Sequence, residues 1–132
     1  MEIMAGILML LCFCGGCQKI EGEEKRQEIK YTVCPEGHLP KALQKTLENR
    51  KKTAGTFSYK NSMYTYLVVC YGPQKYSGYS IQVEECKKGE KTLYLRTQLI
   101  GPSAGDPVVE TETYPWIVVR CEKTDAVCVI ES

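Results

Sequence analysis

The sequence predicts an α+β domain that is mainly β: an antiparallel sheet, open or sandwich-like, with one N-terminal amphipathic helix. Three observations predict it. Downstream of Gly55 the apolar residues recur with a period of two, as strands require. Upstream, Leu39, Leu43 and Leu47 recur every fourth residue, one apolar stripe of a helix. Between the strand-like runs stand Gly-, Pro- and Lys-rich breaks of the kind that form turns and loops. The chain has 132 residues, with 43% hydrophobic and 25% charged, so it holds one globular domain. Lys plus Arg number 17 against 16 Asp plus Glu, for a net charge of +1. That balance argues against a nucleic-acid partner, which calls for a strong basic excess.

Taken in order, the chain opens with an export signal. Ile7-Leu8-Met9-Leu10-Leu11-Cys12-Phe13 is a seven-residue apolar run, too short for a bilayer core of about 30 Å and of the length of a signal h-region. Gly15-Gly16 follow, directly before Cys17. This arrangement resembles a bacterial lipobox, which implies removal of residues 1–16 and acylation of Cys17, with palmitate among its chains. Cys14 stands three residues before Cys17, where the lipobox prefers Leu, and the leading segment carries Glu2 and neither Lys nor Arg. A plain secretory signal beside an incidental cysteine cluster is the alternative. Residues 17–30 read as a polar tether, with Ile20 and Ile29 its apolar members. Two acyl chains would hold the domain, residues 31–132, at the extracytoplasmic face of the cell membrane, since one chain binds only marginally.

Within the domain, Tyr31-Thr32-Val33 is a short strand and Cys34-Pro35-Glu36-Gly37 turns it. Pro40 suits the first helical turn, the leucine stripe follows, and Asn49-Arg50-Lys51-Lys52 places positive charge where the helix dipole favours it. This helix is expected to cover a sheet. Thr56–Tyr59 is a short strand, and Met63–Tyr71 is long, β-branched and aromatic, as a central strand should be. Tyr79–Cys86 alternates, with Tyr79, Ile81 and Val83 on one face, and turns at Lys87-Lys88-Gly89-Glu90 into Thr92–Leu99. Gly101–Pro107 is a loop by composition. Trp116–Cys121 and Val127–Ile130 are expected to form a last hairpin, bending at Lys123-Thr124-Asp125. Cys121 and Cys128 would then face each other.

No group of residues announces catalysis, a metal or a cofactor. His38 is the single histidine and follows Cys34 by four residues, but a nucleophilic thiol needs a base in reach and a third group to orient it. Glu84 and Glu85 are neighbours on a strand and are expected on opposite faces. Gly101–Gly105 lacks a following helix and a phosphate-loop Lys. Downstream of Cys17 stand Cys34, Cys70, Cys86, Cys121 and Cys128, an odd number with no CxxC spacing. Most are expected to be buried apolar residues.

Aromatic loops are the unusual feature. The chain has nine Tyr and one Trp against two Phe. Three of the Tyr fall in Tyr71-Gly72-Pro73-Gln74-Lys75-Tyr76-Ser77-Gly78-Tyr79, and Tyr114-Pro115-Trp116 is a second cluster directly before a strand. Stiff amphipathic rings on loops bury area at little cost in rotamer entropy and so make good protein contacts. Gly78 permits a positive φ, and Pro115 forces Tyr114 to be extended. The candidate protein-binding residues are therefore Tyr76, Gly78, Tyr79, Tyr114, Pro115 and Trp116. Equally, these rings could serve only as strand-end and core aromatics.

Tyr66-Leu67-Val68-Val69, Gly72 with Ser77-Gly78-Tyr79-Ser80-Ile81-Gln82-Val83, the Pro102 loop and Thr113-Tyr114-Pro115-Trp116-Ile117-Val118-Val119-Arg120 resemble the PrcB C-terminal domain family, in the same order. The Gly-Gly-Tyr core of that family stands here as Ser77-Gly78-Tyr79, one glycine short, and its Tyr-Pro-Tyr/Phe end as Tyr114-Pro115-Trp116. The resemblance implies an exported, non-enzymatic accessory subunit whose partner is another exported protein, such as a surface protease, that it helps to assemble or stabilise. A Gly-Tyr loop after a strand and a Pro-Trp loop before one are also similar to chagasin-type, Ig-like inhibitors of cysteine proteases. Their Asn-Pro-Thr-Thr-Gly loop is replaced here by Gly72-Pro73-Gln74-Lys75-Tyr76. A lipoprotein that binds a small ligand on its Tyr-rich face is the third reading.

Overall fold

The computed structural model describes residues 26–132, so the readings of residues 1–16 as a signal and of Cys17 as its acylated residue lie outside the described residues. Two short strands, β1 (Gln27–Glu28) and β2 (Thr32–Val33), precede a 3-10 turn (Glu36–His38) and helix α1 (Lys41–Arg50). Then follow β3 (Gly55–Lys60), β4 (Tyr64–Cys70), β5 (Ser80–Lys88), β6 (Thr92–Ile100), β7 (Trp116–Glu122) and β8 (Val127–Glu131). They form two four-stranded sheets, ordered β1-β5-β6-β8 and β2-β7-β4-β3. Among the described residues the fold is mainly β with one α-helix, as the periodicities predict. All of the described strand pairs are antiparallel except β6 with β8.

Strand β4 explains how the layers meet. It lies between β3 and β7, and its residues are buried on both faces because every position from Thr65 to Cys70 is buried. Leu67 and Val69 join Ile117, Val119 and Cys121 of β7 and Cys86, Leu93 and Leu95 of the other sheet in one core. Tyr66, Val68, Cys70 and Val118 point the other way, into a second core closed by Leu39, Leu43 and Leu47. The helix thus covers one face of the β4–β7 pair while the second sheet meets the opposite face. Pro40 stands just outside α1 with extended ψ of 147°; its carbonyl accepts the first helical bond from Gln44 N at 2.9 Å. Four of the five described thiols, Cys34, Cys70, Cys86 and Cys121, are buried, Cys128 is half-buried, and all are free.

Three local features depart from the sequence reading. The fold starts inside the stretch read as tether: Gln27 and Glu28 pair with Lys88 and Lys87, and Ile29 packs on the shared core. In β5 a bulge sits between Val83 and Glu85, which pair with the adjacent residues Thr97 and Arg96. The extra residue is Glu84. It shifts the alternation so that Ile81, Val83 and then Cys86 face the core, and it brings both carboxylates to one guanidinium. Arg96 lies 2.6 Å from Glu85 and 3.9 Å from Glu84, so the expected opposite-face placement of the two acids does not hold.

The third departure is a correction. Trp116–Cys121 and Val127–Ile130 do not form a hairpin. Strand β7 pairs with β4 and β2, whereas β8 crosses to the other sheet and runs parallel to β6. Thr65 holds the corner: fully buried, its hydroxyl accepts a hydrogen bond from Thr124 N at 3.1 Å. The Thr124 hydroxyl in turn accepts from Ala126 N at 3.1 Å, and Val127 N donates to Lys91 O at 2.9 Å. Those bonds meet the polar needs of a backbone that leaves one sheet before joining the next.

Candidate functional site

The chain passes between the sheets twice at the same end, once from β4 to β5 through residues 71–79 and once back from β6 to β7 through residues 101–115. Two segments making the same crossing run side by side, and they are bonded together. Gln74 and Thr113 form an isolated antiparallel bridge, with N···O distances of 2.8 and 2.9 Å. Ser77 N donates to Val109 O at 3.0 Å, and Val109 N donates to the Ser77 hydroxyl at 2.9 Å. The Thr113 hydroxyl donates to Tyr76 O at 2.8 Å. Both predicted aromatic loops therefore belong to one end of the domain.

Each candidate residue has a defined place there. Gly78 has φ of 92°, and a Cβ on it would meet Pro102 at 3.1 Å and Val108 at 3.2 Å. Its conformation and its close neighbours both require glycine. Tyr79 is half-buried, with its ring near Gly101. Pro115 uses its carbonyl to accept from Tyr71 N at 3.0 Å. The Tyr114 hydroxyl donates to Glu112 Oε1 at 2.9 Å, and that bond raises its pKa. Lys52 stands 5.5 Å from the same ring. Trp116 packs against the helix-side core. Tyr76 is the ring left in solvent, 41% exposed.

Sequence reasoning passed over the other exposed apolar residues at this end. Val108 and Val109 are 43% and 62% exposed, and Ile100, at the end of β6, is 39% exposed. The signal was present: two adjacent valines stand in the middle of a loop whose preceding residues, Gly101 to Pro107, are all small, polar or proline. Exposed β-branched residues at the same end as an exposed ring give this end apolar surface suited to contact.

His38 and the thiols lie in unlike surroundings. His38 is exposed on the 3-10 turn, while Cys34 is buried and directs its thiol to Thr32 O at 3.9 Å. Burial raises the pKa of Cys34, Cys70 and Cys121, and pushes Cys86 up to about 11, the opposite of nucleophile activation. Among the described residues no group of three or more His, Cys, Asp or Glu could hold a metal ion. Nor is any described helix long and apolar enough to cross a membrane.

Residues 65–122 match the family model described as PrcB C-terminal. The match runs from β4 to the end of β7 and includes both loops. Neither a curated protein nor a solved structure matches the chain.

Proposed function

We propose that the chain is an exported lipoprotein, acylated on Cys17 and held at the extracytoplasmic face of the membrane, whose domain binds another exported protein as a non-catalytic accessory subunit. The two sheets pack as a sandwich and present the paired loops at one end. The observation that carries this reading is that pairing: bonds between residues 74–77 and 109–113 fix a surface on which Tyr76, Val108 and Val109 remain exposed. A prearranged surface binds without first losing loop entropy. The match to the PrcB C-terminal family supports a partner in a protease complex. Tyr76 is then the contact ring. Gly78 and Pro115 set the loop course, Tyr79 and Tyr114 stiffen it, and Trp116 braces its root against the helix core.

The test is co-purification of an exported protease subunit from the native envelope, identified by an active-site protease probe. Tyr76→Ala combined with Val109→Asp should cut recovery about tenfold, as loss of an interface hot spot does. Thermal stability should move by no more than about 0.5 kcal/mol, because both side chains are exposed. Full recovery with the fold retained would remove the loops from the interface. Nanomolar inhibition of papain by the purified chain would instead mark an inhibitor. Loss of palmitate labelling in Cys17→Ser tests the anchor.

A further inference from the structure

We propose that a cleft at the end of the domain opposite the paired loops binds a single-chain amphiphile with an anionic head, either a carboxylate or a phosphate. This end also has two crossings between the sheets, residues 29–31 and residues 123–126. Where the other end is knitted shut by hydrogen bonds, these two crossings border a cavity of about 490 Å³. That is within the size range of small-molecule sites, roughly 300–1,000 Å³.

The lining has two chemistries. Ile29, Leu93 and Cys121 form its floor, and the floor is the edge of the core that both sheets share. Lys30, Lys88 and Lys123 stand around it, all three exposed. Glu122 is the one carboxylate among the lining residues, so cations outnumber it three to one. Arg120 lines an adjoining depression and lies over the Tyr64 ring at 4.3 Å. Leu93 and Cys121 are buried, while Ile29 and Tyr64 beside them keep part of their surface in water, and a hydrocarbon chain laid on that part gains about 25 cal/mol per Å² covered. Ammonium groups at the mouth gain from an anion and oppose a cation. A bare inorganic anion would leave the exposed parts of Ile29 and Tyr64 wet, and a neutral or cationic head would leave the lysines unmatched. An anionic head on one apolar chain satisfies both parts. The site stands apart from the loops, so its fate is separate from that of the loop surface.

The experiment is a calorimetric titration of the full chain below the micelle threshold. The probes are dodecanoate, dodecyl phosphate, dodecylammonium and inorganic phosphate. Dodecanoate and dodecyl phosphate should bind, and the tighter of the two identifies the source as a fatty acid or a lipid phosphate. Lys30→Glu with Lys123→Glu should weaken both about tenfold. The two positions are exposed, and an unchanged melting temperature would show that the fold is kept. Binding of dodecylammonium as tight as that of dodecanoate, equal binding of inorganic phosphate alone, or unaltered affinity in the double variant would overturn the proposal.

Discussion

Cys86 shows how a single side chain ties burial to pH. The residue is 4% exposed, and burial, reinforced by neighbouring Cys121, pushes the pKa of its thiol up to about 11 from 9.0. In the unfolded chain the thiol ionises near 9.0 while the folded chain still holds its proton. Stability that is fully present below pH 9 is therefore lost as pH rises toward 11, because the unfolded state then binds fewer protons. Cys34, Cys70 and Cys121 shift in the same direction through burial. Urea unfolding at pH 8 and at pH 10.5 should differ by on the order of 2 kcal/mol from Cys86 alone, and Cys86→Ala should flatten the slope. An identical midpoint at both pH values would show that burial does not hold this proton. That the thiols are interior was legible from their wide spacing and odd number. Which face each one serves was not, because the Glu84 bulge changes phase within β5.

At the scale of elements, the periodic signals were the legible ones. The leucine stripe of α1, the doubly buried central run of β4, and the alternation of β6 and of β5 up to its bulge appear in the structure where local pattern places them. The β7–β8 connection was not legible, since Lys123-Thr124-Asp125 would suit a tight turn and a sheet-to-sheet corner equally. What decides between them is remote: Lys91 O receives Val127 N, and Thr65 receives Thr124 N. Thr65 is thus the place to test the corner. Thr65→Val keeps the shape but removes the acceptor for Thr124 N at a fully buried position. An unsatisfied buried donor costs about 1–3 kcal/mol, so the midpoint of unfolding should fall by that amount. Hydrogen-exchange protection at Thr124 and Val127 should fall further than in α1. Equal loss in the helix would mean that the corner opens only when the whole domain does.

For the whole molecule, crossings at both ends give the domain a polarity. Loops 71–79 and 101–115 crown one end, and residues 29–31 and 123–126 bound the other. The chain arrives at this second end, where Gln27 pairs with Lys88 at the finish of β5. The loop motifs were readable in sequence, but not their bonding to each other, which follows from two crossings between the same pair of sheets. Strand β7 spans the gap: its seven residues cover about 20 Å at roughly 3.3 Å per residue. Trp116, the single tryptophan, begins that strand at the loop end, and Lys123 follows it at the tether end. If acylated Cys17 anchors the chain, the tether end faces the headgroups and the loops face outward, toward a partner. Vesicles carrying headgroup nitroxides should then leave Trp116 emission unchanged in the acylated chain. A Lys123→Trp, Trp116→Phe variant should be quenched, and the quenching should disappear when Cys17→Ser is added. Quenching of Trp116 itself would place the loops against the membrane and close them to a soluble partner.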